Sequence, residues 1–203
     1  MNSIHLQLAV ATNNRNKLTE LRAMIDANVD LVSLDDLGLP SPEETGISFV
    51  ENAAIKARFM HGQSGLPAIA DDSGLMVDAL SGAPGVRSAR FAGDDASDEA
   101  NCQLLLSKLA GVPDSQRTAR FQCVIALVDR HGAIEFASGT CEGRIAFDMR
   151  GVNGFGYDPL FVLPDGRTMA ELVPEEKNRI SHRAIAMATA VPLLRNMLGV
   201  TER

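Results

Sequence analysis

Two adjacent carboxylates and a hydroxyl stand where an apolar run of the chain gives way to a glycine. Asp71, Asp72 and Ser73 follow the apolar stretch that begins at Ala68, and Gly74 comes next. Carboxylates at the end of a buried strand can hold a hard cation such as Mg²⁺, and a cation held in this way can activate water. The same residues are also ordinary turn formers after a strand. Taken alone, the segment leaves a site and a turn both open.

A polar segment from Thr12 to Lys17 lies between a predicted strand and a predicted helix. The N-terminus of a helix has unpaired N–H groups and the positive end of the helix dipole, which together favour an anion. Thr12, Asn14 and Lys17 add side-chain donors. The segment lacks the glycines and the Gly-Lys-Ser/Thr ending of a Walker A loop. The alternative is a plain loop in which Asn14 or Asn16 caps the helix.

Acidic and basic side chains elsewhere add to the candidate phosphate and metal groups. Glu43 and Glu44 lie in a proline-punctuated loop and, with the two aspartates, would provide the carboxylate that Mg²⁺ prefers. A solvated acidic loop is the alternative for this pair. Lys56 lies on a predicted helix, where either an exposed salt bridge or a contact with phosphate is possible.

A third group combines aromatic, acidic and cationic residues near the C-terminal part of the chain. The segment Phe155 to Asp158, together with Lys177, His182 and Arg183, offers a stacking ring, an acceptor for N–H groups and donors for a carbonyl oxygen. Such a set would bind a purine. Core packing is the alternative for the aromatics, and a solvated helix face is the alternative for Lys177. His182 and Arg183 would oppose the dipole in the first turn of a helix, which favours a functional role.

The elements that must position these groups alternate between strands and helices. The patterns of apolar residues, caps and turns predict a mixed sheet flanked by helices, hence an α/β fold. Helices are predicted at 18–25, 48–61 and 98–109 and from 182 onward. Strands are predicted at 4–11, 29–33, 67–70, 121–128, 133–138, 141–145 and 160–163, with the pair 121–128 and 133–138 forming a hairpin.

Composition narrows the class of protein. The chain has 203 residues, which suits a single domain spanning 1–203, and a net charge of −7 disfavours general binding to nucleic acid. Aromatic residues at 4% argue against a stacking surface for single strands. The N-terminus has no signal peptide or membrane-span pattern, so we expect a cytoplasmic protein that does not bind membranes. The 3 cysteines are widely spaced and fit reduced, structural thiols.

Taken together, these motifs resemble the inosine/xanthosine triphosphatase family, the pyrophosphatases of non-standard purine nucleoside triphosphates, in its bacterial form. The stretches that match follow the family's order over nearly the whole chain. They are Ala11 to Lys17, Glu43 to Gly46, Phe49 to Ala53, Ala68 to Leu75, Gly82 to Gly85, Ser88 to Phe91, Gly154 to Pro159 and Ile180 to Arg183.

The resemblance implies hydrolysis of dITP, ITP, XTP and dXTP to the monophosphate and pyrophosphate with Mg²⁺, in a homodimer whose active site lies in a cleft between two lobes. It implies that Asp72 is the proton acceptor and a metal ligand, and that Glu43 is a second metal ligand. The residues that would bind substrate are Thr12, Asn13, Asn14, Arg15, Asn16, Lys17, Lys56, Ser73, Phe155, Gly156, Tyr157, Asp158, Lys177, His182 and Arg183.

One position departs from the family's pattern, because Asn13 stands where the first loop usually has glycine. Asn tolerates positive φ better than most residues, so the turn can persist. Two alternatives to the leading function follow from the residues. One is a Maf-like pyrophosphatase that acts on pyrimidine triphosphates, which the purine-binding group disfavours. The other is a nucleotide-binding regulator without turnover, which the carboxylates disfavour.

Overall fold

Strands and helices alternate along most of the chain in the computed structural model, which describes residues 6–25 and 28–199. The strands are β1 (Leu6–Val10), β2 (Val29–Ser33), β3 (Ala68–Val77), β4 (Thr118–Val128), β5 (Ile134–Ile145) and β6 (Phe161–Val162). The helices are α1 (Arg15–Met24), α2 (Phe49–Ser64), α3 (Asp98–Lys108), α4 (Pro174–Ile180) and α5 (His182–Leu198). The first residues of the strand predicted at 4–11 lie outside the described residues.

Side-chain caps fix where the first three helices begin. Asn14 Oδ1 accepts hydrogen bonds from the backbone N–H groups of the first turn of α1. Ser48 and Ser97 do the same for α2 and α3. Each cap satisfies donors that the helix itself leaves unpaired. Helix α2 ends at Gly65, which adopts a left-handed φ of 69° that side chains rarely allow.

The described strands form one sheet in the order β2-β1-β3-β4-β5-β6. Strands β2 and β3 both pair with β1 in parallel, whereas β5 and β6 are antiparallel. Strands β4 and β5 are neighbours joined by a short turn in which Asp129 accepts N–H bonds from His131 and Ala133. A connection this short can join only antiparallel strands. The predicted hairpin and the mixed α/β sheet are therefore confirmed.

Several predicted boundaries were wrong. Strand β3 continues to Val77, so Asp71, Asp72 and Ser73 lie inside a strand and not in a turn. The strands predicted at 133–138 and 141–145 are one strand, β5, and helix α2 runs on through Gly62. Helix α4 was not predicted. Local propensity failed at these points because pairing within a sheet and packing of a helix face can override turn-forming residues.

The chain divides into two compact units, each with an apolar core of its own. The first unit comprises residues 1–72, 123–139 and 184–203, and the second comprises residues 73–122 and 140–183. In the first unit, Leu8, Ile69 and Ile125 from the strands pack with Leu21 of α1 and Met187 of α5.

The core of the second unit gathers residues from β3, β4, α3 and the segment after residue 155. Leu75, Leu105, Phe121, Tyr157 and Phe161 belong to this core. The rings of Phe121 and Phe161 lie 4.5 Å apart at a tilt of 45°. Such a tilted arrangement suits the quadrupoles of the two rings. Among the described residues, no helix has the length and apolar character needed to cross a membrane.

Truncating Leu105 tests the contribution of α3 to this core. Leu105 is fully buried, so we expect Leu105→Ala to lower the free energy of unfolding by about 2–5 kcal/mol through lost burial and a residual cavity. Urea unfolding followed by circular dichroism measures the change. Gln103 is exposed on the same helix, and Gln103→Ala should stay within about 0.5 kcal/mol of wild type. Equal losses in the two variants would contradict the packing of α3.

Candidate active site

A buried lysine contacts two carboxylates in the first unit. Lys56 Nζ lies 2.7 Å from Asp72 Oδ1 and 2.9 Å from Glu44 Oε1. Lys56 and Asp72 are only 7% and 6% exposed. A buried ammonium is stable when carboxylates compensate its charge, and these hydrogen bonds are of the strong, charge-assisted kind. The exposed salt bridge considered for Lys56 is therefore replaced by a buried one.

The neighbouring aspartate contacts a different lysine. Asp71 Oδ2 lies 3.2 Å from Lys17 Nζ, and the Asp71 side chain is 1% exposed. Successive side chains of a strand point to opposite faces of the sheet, so Asp71 and Asp72 leave β3 in opposite directions. This alternation makes the two acids unequal. Asp72 faces Lys56, and Asp71 contacts Lys17 in the first turn of α1.

The charges of this cluster shift the acidity of its members. Burial alone lowers the pKa of Lys56, but Asp72, Asp71 and Glu44 outweigh it, so the pKa of Lys56 is raised. Burial raises the pKa of Asp72, although Lys56 and Lys17 oppose that change. The pKa values of Lys56 and Asp72 can both be raised because several carboxylates surround one ammonium. Lys56 stays charged, and Asp72 is a stronger base than an exposed aspartate.

The acidic loop brings Glu44, and not Glu43, to the cluster. Glu43 is exposed, whereas Glu44 contacts Lys56. The loop is held against α2, because Gly46 N–H donates to Asn52 Oδ1 at 2.8 Å. A Cβ at Gly46 would lie 2.6 Å from that same oxygen, so the close approach requires glycine. Both acids were candidate carboxylates from the sequence, but no signal there separates them, and only Glu43 was predicted as a metal ligand.

The loop before α1 is mostly occupied with capping its own helix. Asn14 Oδ1 accepts from the N–H groups of Asn16 and Lys17 at 3.0 and 3.1 Å. Thr12 Oγ1 accepts from Asn14 N–H at 3.1 Å. Asn13, Asn14, Arg15 and Asn16 are exposed. Asn14 therefore caps α1, as the alternative interpretation predicted. Lys17, in the first turn of α1, contacts Asp71 of β3.

The second unit places cations beside a half-buried aromatic ring. Lys177 Nζ lies 4.6 Å from the centroid of the Phe155 ring, and Arg183 Cζ lies 5.9 Å from it. Lys177 and Arg183 are 5% and 1% exposed, so neither lies on a solvated face. Arg183 Nη2 also donates to Ser73 Oγ at 3.0 Å. Four residues predicted to bind substrate therefore lie together within this unit, namely Ser73, Phe155, Lys177 and Arg183.

Asp158 shapes the glycine-rich loop that carries Phe155. Its Oδ2 atom accepts from Phe155 N–H at 2.9 Å and from Lys177 Nζ at 2.6 Å. A Cβ at Gly154 would lie 2.0 Å from this oxygen, and Gly154 has a φ of +76°. The carboxylate therefore fixes both the turn and the lysine. Asp158 holds the loop that it belongs to in place, in addition to any contact with a base.

Tyr157 and His182 are built into the core of the second unit. The Tyr157 hydroxyl donates to Ser88 O at 2.8 Å, and Tyr157 is 4% exposed. The His182 ring stacks on Phe121 with centroids 4.7 Å apart and planes at 16°. Core packing, the alternative considered for Tyr157, therefore accounts for its ring and its hydroxyl.

The carboxylates of the first unit suit a cation that brings its own further ligands. Among residues 6–25 and 28–199, no group of three or more His, Cys, Asp or Glu side chains is placed to hold a metal ion. Mg²⁺ does not need such a cage, because one or two carboxylates with waters and substrate phosphates suffice. Asp72 Oδ2 is buried and has no hydrogen-bond partner among the described residues. That oxygen has the chemistry of a ligand.

Comparison with known proteins identifies the family. A sequence model of the Ham1 family matches residues 8–193 of the chain. The chain belongs to the Ham1 family. It is similar to a protein of Pseudomonas aeruginosa named dITP/XTP pyrophosphatase, with 52% identity over 198 residues that cover 96% of this chain and 98% of that protein. A Shigella flexneri protein of the same name is 49% identical over 195 residues, which cover 94% of this chain and 98% of the relative.

A solved structure agrees with the assignment to the Ham1 family. A HAM1 protein from Coxiella burnetii superposes with a TM-score of 0.86 at 46% identity, and the match covers 94% of this chain and 99% of that one. The resemblance predicted from the ordered motifs is confirmed, and so is the α/β fold that it implied. The Ham1 match includes both units, since residues 8–193 take in the Lys56 cluster and the Phe155 loop.

Removing the Lys56 charge tests the electrostatics of the cluster. Lys56 stabilises the ionised form of Asp72, so Lys56→Met should raise the pKa of the Asp72 carboxyl further. Carboxyl carbon NMR titration of the metal-free protein measures the midpoint. Lys108 is exposed on α3, and Lys108→Met should leave the midpoint unchanged. An unchanged or lowered midpoint in Lys56→Met would contradict the ion pair.

Proposed function

We propose that this Ham1-family protein hydrolyses dITP, ITP, XTP and dXTP to the monophosphate and pyrophosphate. The observation that carries the proposal is the buried cluster of Lys56, Asp72 and Glu44, which joins a base of raised pKa to a fixed cation. The relatives named dITP/XTP pyrophosphatase support the substrate class. Hydrolysis of phosphoric anhydrides is helped mainly by positioning and by cations, which this cluster offers.

Asp72 acts as the proton acceptor in the proposed reaction. Its carboxylate takes a proton from water, the water oxygen bonds to the α-phosphorus, and the bond from that phosphorus to the bridging oxygen breaks. Pyrophosphate leaves with the electron pair of that bond. The raised pKa of Asp72 suits proton transfer near neutral pH better than an ordinary aspartate would. Lys17 and Lys56 stabilise the negative charge that develops on the phosphates.

Mg²⁺ fits the carboxylates of the same cluster. Asp72, through its buried Oδ2, and Glu44 are the residues that would hold it, and Glu43 keeps the sequence prediction of a second ligand. When bound, Mg²⁺ would neutralise charge on the phosphate oxygens. Lys56 orients Asp72 through Oδ1, Oδ2 would contact the ion, and a remaining lone pair of the carboxylate would accept the proton.

The second unit supplies the residues proposed to recognise the base. Phe155 offers a ring for stacking, while Lys177 and Arg183 are donors suited to the 6-oxo group of hypoxanthine or xanthine. Adenine carries an amino group at that position and would leave these donors unpaired. Sites built on hydrogen bonds reject such analogues by factors on the order of 10⁴. Ser73 Oγ accepts a hydrogen bond from Arg183 and would contact the nucleotide beside it.

Further properties remain part of the proposal. We expect a single catalytic domain over 1–203, a cytoplasmic location and a homodimer. Sedimentation velocity would give a mass of twice 21.7 kDa for the dimer. A measured mass of 21.7 kDa, that of one chain, would reject the homodimer.

A substrate panel tests the proposed function. Pyrophosphate release should be far faster from dITP and XTP than from ATP when each is supplied with Mg²⁺, because only a 6-oxo purine would satisfy the proposed donors; GTP in the same panel tests whether the site also discriminates at the 2-position. The panel also includes dTTP and UTP. Preferred turnover of the pyrimidines would favour a Maf-like enzyme. Equal turnover of all substrates, or release of orthophosphate alone, would reject the proposal.

Matched substitutions of the two neighbouring aspartates test the role of Asp72. Asp72→Asn should lower kcat for dITP by at least about 100-fold while nucleotide binding by calorimetry persists, since a carboxamide cannot accept the proton. Asp71→Asn removes an equally buried carboxylate that contacts Lys17. It should raise KM more than it lowers kcat. If Asp72→Asn turned over dITP at a near-normal rate, another residue would have to be the base.

A further inference from the structure

Helix α3 holds both backbone polar groups of Gly156, in the loop that carries Phe155. Asp98 Oδ2 accepts a hydrogen bond from Gly156 N–H at 2.6 Å. Cys102 Sγ donates to Gly156 O at 3.4 Å. Asp98 and Cys102 are four residues apart and therefore share one face of the helix. A single turn of α3 thus holds the two peptide units that meet at Gly156, one through its N–H and the other through its C=O.

Gly156, held in this way, directly follows the residue whose ring is proposed to stack on a purine. Phe155 precedes it, and Tyr157 follows it and is anchored by its hydroxyl bond to Ser88 O. Phe155 is half-buried and lies under the cations of Lys177 and Arg183. The backbone on the C-terminal side of the Phe155 ring is therefore fixed by α3 and by the Tyr157 anchor.

Neither contact is explained by the needs of α3 itself. Ser97 caps this helix, because its Oγ accepts from Ala100 N–H at 3.1 Å. The Asp98 carboxylate instead accepts from a residue 58 positions away in sequence. Burial, aided by the charge of Asp98, raises the pKa of the Cys102 thiol to about 12. The thiol keeps its proton at neutral pH and can donate to Gly156 O.

We infer that Asp98 and Cys102 are positioning residues for recognition of the purine base. They fix the backbone of Gly156 on both sides of its Cα so that the Phe155 ring keeps one orientation relative to Lys177 and Arg183. The inference rests on the proposed function, because it assigns the Phe155 loop to the base of the nucleotide. Their loss weakens binding of the base and leaves the chemistry at the phosphates in place.

Substitutions in the first turn of α3 separate this role from a general effect of charge. Removing a charge-assisted hydrogen bond costs about 10-fold or more in binding, so Asp98→Ala should raise KM for dITP about 10-fold with kcat within about 2-fold of wild type. Asp98→Asn keeps an acceptor oxygen and should restore most of the affinity. Glu99→Ala removes the same charge from the same turn and should leave KM unchanged.

The second contact gives an independent variant and a test of coupling. Cys102→Ala should raise KM for dITP by a smaller factor than Asp98→Ala, since a thiol is a weak donor. Both side chains hold the backbone of one residue, Gly156. The double variant should therefore raise KM by less than the product of the single effects. Fully multiplicative effects would overturn the shared role.

Hydrogen exchange at the Gly156 amide reports on the contact without any nucleotide. Exchange measured by NMR should be faster in Asp98→Ala than in wild type and unchanged in Glu99→Ala. Faster exchange with an unchanged KM for dITP would overturn the inference while the proposed function stands. So would an equal rise of KM in Glu99→Ala. A wild-type protein that released no pyrophosphate from dITP would instead overturn the proposed function, and this inference with it.

Discussion

Compensation of buried charge is the constraint on which the candidate site depends. Lys56 is buried, and an ammonium in that position is tolerated only because Asp72 and Glu44 contact it. The same contacts set the chemistry of the cluster. They hold Asp72 Oδ1 in one orientation. Burial raises the pKa of Asp72, and the charge of Lys56 opposes that rise. The basicity of the carboxylate therefore depends on the balance between burial and the neighbouring ammonium.

The second unit obeys the same constraint with a different result. Lys177 is buried against Asp158, whose carboxylate also accepts the N–H of Phe155. Here the ion pair shapes a loop as well as balancing a charge. Because the acid is joined to both the lysine and the backbone, the positions of the cation and of the Phe155 ring are linked. Among the roles proposed for buried ion pairs, fixing a particular geometry is the best attested.

Local sequence patterns predicted much of this structure. The cap at Asn14, the hairpin of strands 121–128 and 133–138 and the alternation of strands and helices all appear in the structure. These features rest on interactions between residues close in sequence. The errors share a cause as well. The Asp71 to Ser73 segment reads as a turn, yet it continues β3, because pairing with neighbouring strands outweighs local preference.

The sequence by itself determined the order of the motifs, and with it the family and the set of residue types available for chemistry. Only the tertiary structure decided which carboxylate meets which lysine. Asp71 contacts Lys17 and Asp72 contacts Lys56, while Glu44 is the acid of its loop that also contacts Lys56. The physical reason is that burial and ion pairing depend on elements far apart in the chain. The pattern within one element shows which residues share a face of a helix or a strand. It does not show which charged residue of another element lies against that face.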